Sequence, residues 1–76
     1  MEVLEINHEL TRPLTDYAIA VKVALMKQNK TQTWLIERLR ERLPERYIDS
    51  SIIYKVFTGQ VNSQSIIEAI NEILGI

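Results

Sequence analysis

The chain has 76 residues, enough for one domain with a modest core but too few for an enzyme with a deep pocket between domains. Hydrophobic residues make up 46% and charged residues 25%, with a net charge of -1, which argues against a disordered chain. The chain has no cysteine, so a disulfide framework and a thiolate metal site are excluded and a cytoplasmic protein is expected. The sequence contains no apolar run long enough to span a bilayer and no signal-peptide pattern at its start.

In the first part of the chain, the sequence predicts an N-terminal extension, residues 1–13, followed by a helix. Within the extension, "EVLEI" is the only segment that resembles a strand. Pro13 and Thr15 favour entry into a helix from about Asp16 to Gln28, and Asn29 suits a left-handed position at its end. The stripe of this helix that is expected to face the core comprises Tyr17, Val21, Ala24 and Leu25.

The second and third helices are predicted from their caps and breakers. Thr31 can cap "TQTWLIERLRER", whose leucines recur every four residues until Pro44, so we expect this helix to run to about Leu43. Asp49 can cap "SSIIYKVFT", which Gly59 ends.

A fourth helix is expected to start at Asn62 or Ser63. Ser65 and Glu68 offer a capping-box pair, and Gly75 closes the helix. The expected apolar stripe is Ile66, Ile70, Ile73 and Leu74. The pattern as a whole predicts an all-α single domain over residues 1–76, with a helical core over 16–76 and four to five helices.

The charges are unevenly distributed along the chain. Residues 27–58 carry seven basic and four acidic side chains, whereas both ends are acidic. A surface for an anionic partner is one interpretation. The other is a solvated, salt-bridged helix surface, because Glu37 with Arg40 and Arg38 with Glu41 lie at helical pair spacing.

Two ordered motifs then suggest a family. "TQTWL" opens the second helix with Thr31, Gln32 and Leu35, and "VFTG" ends the third before a polar loop and the amphipathic "SQSIIEAINEILG". From about residue 21 onward, this order resembles the helix-turn-helix domains of the Cro and phage-repressor type, the xenobiotic-response-element family. Two features depart from the family pattern: Ile36 and Arg40 replace its usual alanine and glycine, and the longer interval before Ser50 requires an extended second helix or an extra loop.

The resemblance implies a lambda-repressor-like helical bundle that binds duplex DNA and acts as a repressor-like transcriptional regulator of phage or mobile-element type. It places the third helix in the major groove and the start of the second helix on the backbone. The expected base contacts are Ser50, Ser51 and Lys55, with Tyr54 if the longer connection rotates the third helix. The expected phosphate contacts are Thr31, Gln32, Arg46, Gln60, Asn62 and Ser63. Alternatively, the serines are only caps and Lys55 is only solvated.

The apolar residues exceed what one small core requires. Ile19, Val23 and Met26 lie opposite the core stripe of the first helix, and Trp34 falls where the family usually has a polar residue. They are covered either within the chain, by the extension (Val3, Leu4, Ile6) or the turn near Tyr47, or by a homodimer seam near Trp34, Val23 and Met26. These apolar positions also support a rival function, a protein-interaction module such as an antirepressor or adaptor.

Signs of catalysis are weak. His8 is the only histidine and has no ligand cluster at metal-binding spacing, and no serine has a plausible base partner. We therefore expect no enzyme activity, no cofactor and no metal.

Overall fold

The computed structural model describes residues 14–76, which form four helices and no strand within that range. The helices are α1 (Asp16–Lys27), α2 (Gln32–Arg42), α3 (Ser50–Phe57) and α4 (Gln64–Leu74). The all-α prediction is confirmed for this part of the chain. "EVLEI", His8 and the apolar residues of the extension lie outside the described residues.

Three helices begin at side-chain caps. Thr15, Thr31 and Asp49 have extended backbone, and each side-chain oxygen accepts a bond from the N–H three residues later, at 3.0 to 3.1 Å. Each bond satisfies one of the amides that a helix start leaves without a partner inside the helix. The predicted caps Thr31 and Asp49 are confirmed.

The helix ends also follow local chemistry. Asn29, Gly59 and Gly75 have φ values of 59°, 80° and 73°, the left-handed conformation that asparagine and glycine adopt most readily. Helix α2 continues to Arg42 and has Leu43 as its C-cap, so the predicted long second helix is confirmed.

The start of α4 agrees with the prediction in its position but not in its side-chain bonds. Its N-cap is Ser63, whose side chain makes no capping bond, and the capping box of Ser65 and Glu68 is wrong. The reason is positional: Ser65 is already the second residue of the helix, whereas a capping box needs its serine at the cap itself. Glu68 instead accepts a bond from Gln64 Nε2 at 3.2 Å.

A single apolar core joins the four helices, since α3 and α4 each pack against both α1 and α2. The Tyr17 hydroxyl donates to Asn71 Oδ1 at 2.8 Å, and Gln28 Nε2 donates to the Leu74 carbonyl at 2.9 Å, so both ends of α1 are tied to α4. Buried side chains include Val21, Ala24 and Leu25 of α1, Leu35 and Leu39 of α2, Ile53, Val56 and Phe57 of α3, and Ile66, Ile70 and Leu74 of α4. Tyr17, Leu43 and Ile73, which belong to the predicted stripes, are half-buried at the core edge.

Among the described residues, no helix combines the length and apolar character that crossing a membrane requires.

Candidate nucleic-acid interface

Helix α3 has one buried face and one exposed face. Ile53, Val56 and Phe57 are buried, and the four residues expected to reach bases are exposed. These four are Ser50, Ser51, Tyr54 and Lys55. At about 100° per residue they fall within an arc of roughly 140°, so they form one continuous polar surface. We call this surface the α3 face.

Both ends of α3 are fixed to the rest of the molecule. At its end, the Phe57 carbonyl accepts bonds from the backbone N–H and the side-chain hydroxyl of Thr15, at 3.0 and 3.1 Å. At its start, the side chain of Ile48 is buried, and the Ile48 carbonyl accepts a bond from Arg40 Nε at 2.9 Å. The α3 face is therefore held on a fixed support even though the helix has only eight residues.

The charge of the α3 cap is stabilised locally. The Ile52 amide donates to the Asp49 carboxylate and holds the pKa of Asp49 below its ordinary value, and the Tyr47 hydroxyl contributes in the same direction. The hydrogen bond between the Tyr47 hydroxyl and the Asp49 carboxylate in turn raises the pKa of Tyr47, whose side chain is 78% exposed. The N-cap of α3, which directly precedes the α3 face, therefore carries a negative charge at neutral pH.

The connection between α2 and α3, residues 43–49, turns Arg46 toward α4. Arg46 Nη1 donates to Ser65 Oγ at 2.8 Å, and Ser65 Oγ lies 3.4 Å from Ser63 Oγ. Arg46 and Ser63, two of the expected phosphate contacts, are thus linked through Ser65, for which the sequence predicts only a capping role. We call Arg46, Ser63 and Ser65 the α4 corner.

The α4 corner combines a cation with the start of a helix. Ser63 does not bond the first amides of α4, and this helix end has positive dipole character. An open cleft of about 470 Å³ lies beside it, lined by Arg42, Leu43, Pro44, Glu45, Arg46 and Ser65. Arg42, which also lines this cleft, is paired with Glu72 of α4, so it adds little positive charge beside the corner.

The start of α2 holds two more of the residues that are expected to contact the DNA backbone. Thr31 is exposed, but its hydroxyl oxygen already accepts the Trp34 N–H at 3.0 Å. Gln32 is half-buried, and its Oε1 accepts a bond from Lys22 Nζ at 3.4 Å. Lys22 Nζ also lies 5.5 Å from the centroid of the Phe57 ring, so it links the start of α2 to the end of α3.

The loop after α3, residues 58–63, is mostly polar and partly exposed, and its Val61 packs against the core. Gln60 Nε2 donates to the Thr58 hydroxyl at 2.9 Å, and this hydroxyl in turn donates to the Tyr54 carbonyl at 2.9 Å. Asn62 is also exposed. Gln60 therefore continues the α3 face into the loop, whereas no hydrogen bond connects this loop with the start of α2.

Trp34 is half-buried against the core, and cations cover part of its exposed ring. Lys30 Nζ lies 5.0 Å and the Arg38 guanidinium carbon 6.0 Å from the ring centroid. Partial cover of Trp34 is confirmed, and within residues 14–76 it comes from the core and these two cations. Cover by the N-terminal extension, which lies outside the described residues, or by a second chain stays a prediction. Val23 and Met26, in contrast, are exposed.

The basic residues of α2 are largely engaged with the protein itself. Arg38 and Glu41 form the predicted ion pair at 2.6 Å, whereas Arg40 contacts the Ile48 carbonyl and makes no pair with Glu37. The salt-bridge interpretation is therefore correct for part of this surface. It does not extend to Lys55, which lies on the α3 face.

Two interactions in this region had no signal in the sequence. The Arg46–Ser65 bond joins residues 19 positions apart, and Lys22 reaches Gln32 from a different helix. Sequence separations of 19 and 10 residues do not correspond to any local helix or capping motif. Within residues 14–76, there is also no group of three or more acidic, histidine or cysteine side chains that could hold a metal ion.

Comparison of the chain with protein-family models, curated proteins and solved structures finds no match.

Proposed function

We propose that the chain binds duplex DNA in a sequence-specific manner and acts as a repressor-like transcriptional regulator of phage or mobile-element type, in the cytoplasm of a bacterial or phage-infected cell. The observation that carries the proposal is the α3 face, on which Ser50, Ser51, Tyr54 and Lys55 are all exposed while the opposite side of the helix is buried. A helix supported in this way can enter the major groove, where each base pair has a distinct pattern of donors and acceptors.

Different side chains take different roles in this proposal. Lys55 donates to guanine, and Ser50 and Ser51 contact either base edges or phosphate. Tyr54 is the other exposed residue that could contact bases. Specificity comes from these contacts, which require the α3 face to approach the bases directly.

The phosphate contacts come from two places. The α4 corner offers the Arg46 guanidinium beside the start of α4, and both of these attract an anion. Thr31 and Gln32 offer the start of α2, and Gln60 and Asn62 extend the contact after α3. Contacts of this kind fix the register of the protein on DNA and carry no sequence information.

The rival function is a protein-interaction module, an antirepressor or adaptor that retains the helical frame. The exposed apolar side chains of α1 favour it, because Ile19, Val23 and Met26 retain 50%, 42% and 76% of their accessible surface. An apolar surface of this kind is typical of a contact with another protein or another part of the chain.

Selection of binding sites from random duplex DNA tests the proposed function. We expect enrichment of one sequence, with an affinity that falls steeply as salt rises, because the basic side chains displace counterions from the phosphates. Recovery of random sequence, or of duplexes bound only in a sequence-independent manner, contradicts the proposal. A rival interface formed by apolar side chains predicts binding to a protein with weak dependence on salt.

A further inference from the structure

One face of α1 is apolar and exposed. Ile19, Val23 and Met26 follow the i, i+4, i+7 spacing that places side chains in a single stripe. This stripe lies opposite the face of α1 that is buried in the core. We call Ile19, Val23 and Met26 the α1 stripe, and no side chain within residues 14–76 buries them.

The edges of the α1 stripe carry two lysines and one aspartate. At about 100° per residue, Lys22 falls on one side of the stripe, and Lys27 falls on the other side together with Asp16 at the start of the helix. Two copies of this stripe would therefore be like-charged overall, which is unfavourable for a contact between them. The charge pattern therefore favours an acidic occupant over a second copy of the same face.

Residues 1–13 have the matching composition. They contain the apolar residues Val3, Leu4, Ile6 and Leu10, and three acidic residues, Glu2, Glu5 and Glu9, against one basic residue, Arg12. The segment ends directly before Leu14, one residue ahead of the α1 cap. Thirteen residues can span up to about 45 Å, whereas the far end of the stripe is about 18 Å from Leu14 along the helix axis.

We propose that residues 1–13 fold back along α1 of the same chain and cover the α1 stripe, with apolar side chains against the stripe and glutamates near Lys22 and Lys27. This occupant is tethered beside its site, so its effective concentration is high and a short apolar contact suffices. The inference does not depend on DNA binding, and its test requires no DNA.

A thermal double-mutant cycle on the full chain tests the proposal. One variant carries Ile19→Ser and Val23→Ser, a second carries Val3→Ser and Ile6→Ser, and a third carries all four changes. Serine has nearly the same intrinsic helix propensity as isoleucine and valine, so the changes in α1 mainly remove apolar contact. We expect each pair to lower the melting temperature by about 5 °C. The fourfold variant should melt with the more affected pair, because the two pairs remove the same contact.

Controls and sedimentation complete the experiment. Ala20→Ser, at an exposed position of α1 outside the stripe, should lower the melting temperature less than either pair, because it loses only helix propensity. Asn7→Ser, a polar change in the segment, should leave the melting temperature unchanged. The wild-type chain should sediment as a monomer at two concentrations. Additive losses, no loss, or a loss restricted to the α1 pair each overturn the proposal. A dimer that the substitutions dissociate also overturns it, because a second copy then supplies the cover.

Discussion

Asp49 connects local charge to the position of the α3 face. Its carboxylate caps α3, and the Ile52 amide, followed by the Tyr47 hydroxyl, keeps its pKa below the ordinary value of 3.8. A carboxylate with a lowered folded-state pKa contributes stability above its unfolded-state pKa, and this contribution is lost as the pH falls through the folded-state pKa. The cap should therefore weaken in acid and be fully effective at neutral pH.

Asp49→Asn tests this dependence, since asparagine also caps helices but carries no titrating charge. We expect the variant to be less stable than wild type at neutral pH, and the difference to shrink as the pH falls from about 5 to about 2. Urea unfolding across this range measures it. Asp16→Asn, in the first turn of α1, matches the change in net charge. A difference between wild type and Asp49→Asn that is constant with pH would show that the cap charge contributes nothing.

At the scale of elements, the connection between α2 and α3 is the unusual part of the fold. Ile48 is only 1% exposed although it lies in a loop, and its carbonyl is bound by Arg40. The buried side chain fixes the path of the chain into α3. The loop therefore positions the α3 face, and its stability should matter as much as that of a helix.

Ile48→Ala should lower the free energy of unfolding by about 2 to 4 kcal/mol, because it removes buried methyl groups and leaves a cavity. Tyr47→Ala changes the preceding residue, which is 78% exposed, and should cost much less. Denaturant unfolding of both variants provides the comparison. Equal losses in the two variants would indicate that burial of Ile48 does not anchor the connection.

The starts and ends of the helices could be predicted from the sequence wherever they depend on a few neighbouring residues. Thr31 and Asp49 cap their helices, and Asn29 and Gly59 terminate theirs, because each requirement involves only a few neighbouring residues. The exposure of Lys55 follows in the same way, since the apolar residues of α3 must face the core.

Non-local contacts could not be predicted. The assignment of Ser65 to a capping box failed because the residue lies inside α4 and accepts a bond from Arg46, which is 19 positions away. Burial of Ile48 depends in the same way on how the helices pack. Neither the α4 corner nor the path of the connection is encoded by a local pattern.

At the scale of the whole molecule, the distribution of charge matters more than its sum. The net charge is -1, yet residues 27–58 contain three more basic than acidic side chains. Several of these cations are engaged by Glu41, Glu72, Ser65 or the Ile48 carbonyl. Lys55 is the basic residue of the α3 face, so it is the side chain on which sequence preference should depend most directly.

The most direct test compares the affinities of wild type and Lys55→Ala for the selected duplex and for a scrambled one, at two salt concentrations. Lys55→Ala should cost about 1 to 3 kcal/mol on the selected duplex and relax the preference at one or two base pairs. Gln32→Ala should weaken binding to both duplexes alike, and Lys27→Ala, which removes the same charge from α1, should not relax sequence preference. Equal losses on both duplexes for Lys55→Ala, or no effect on either, would contradict the assignment of the α3 face to the major groove.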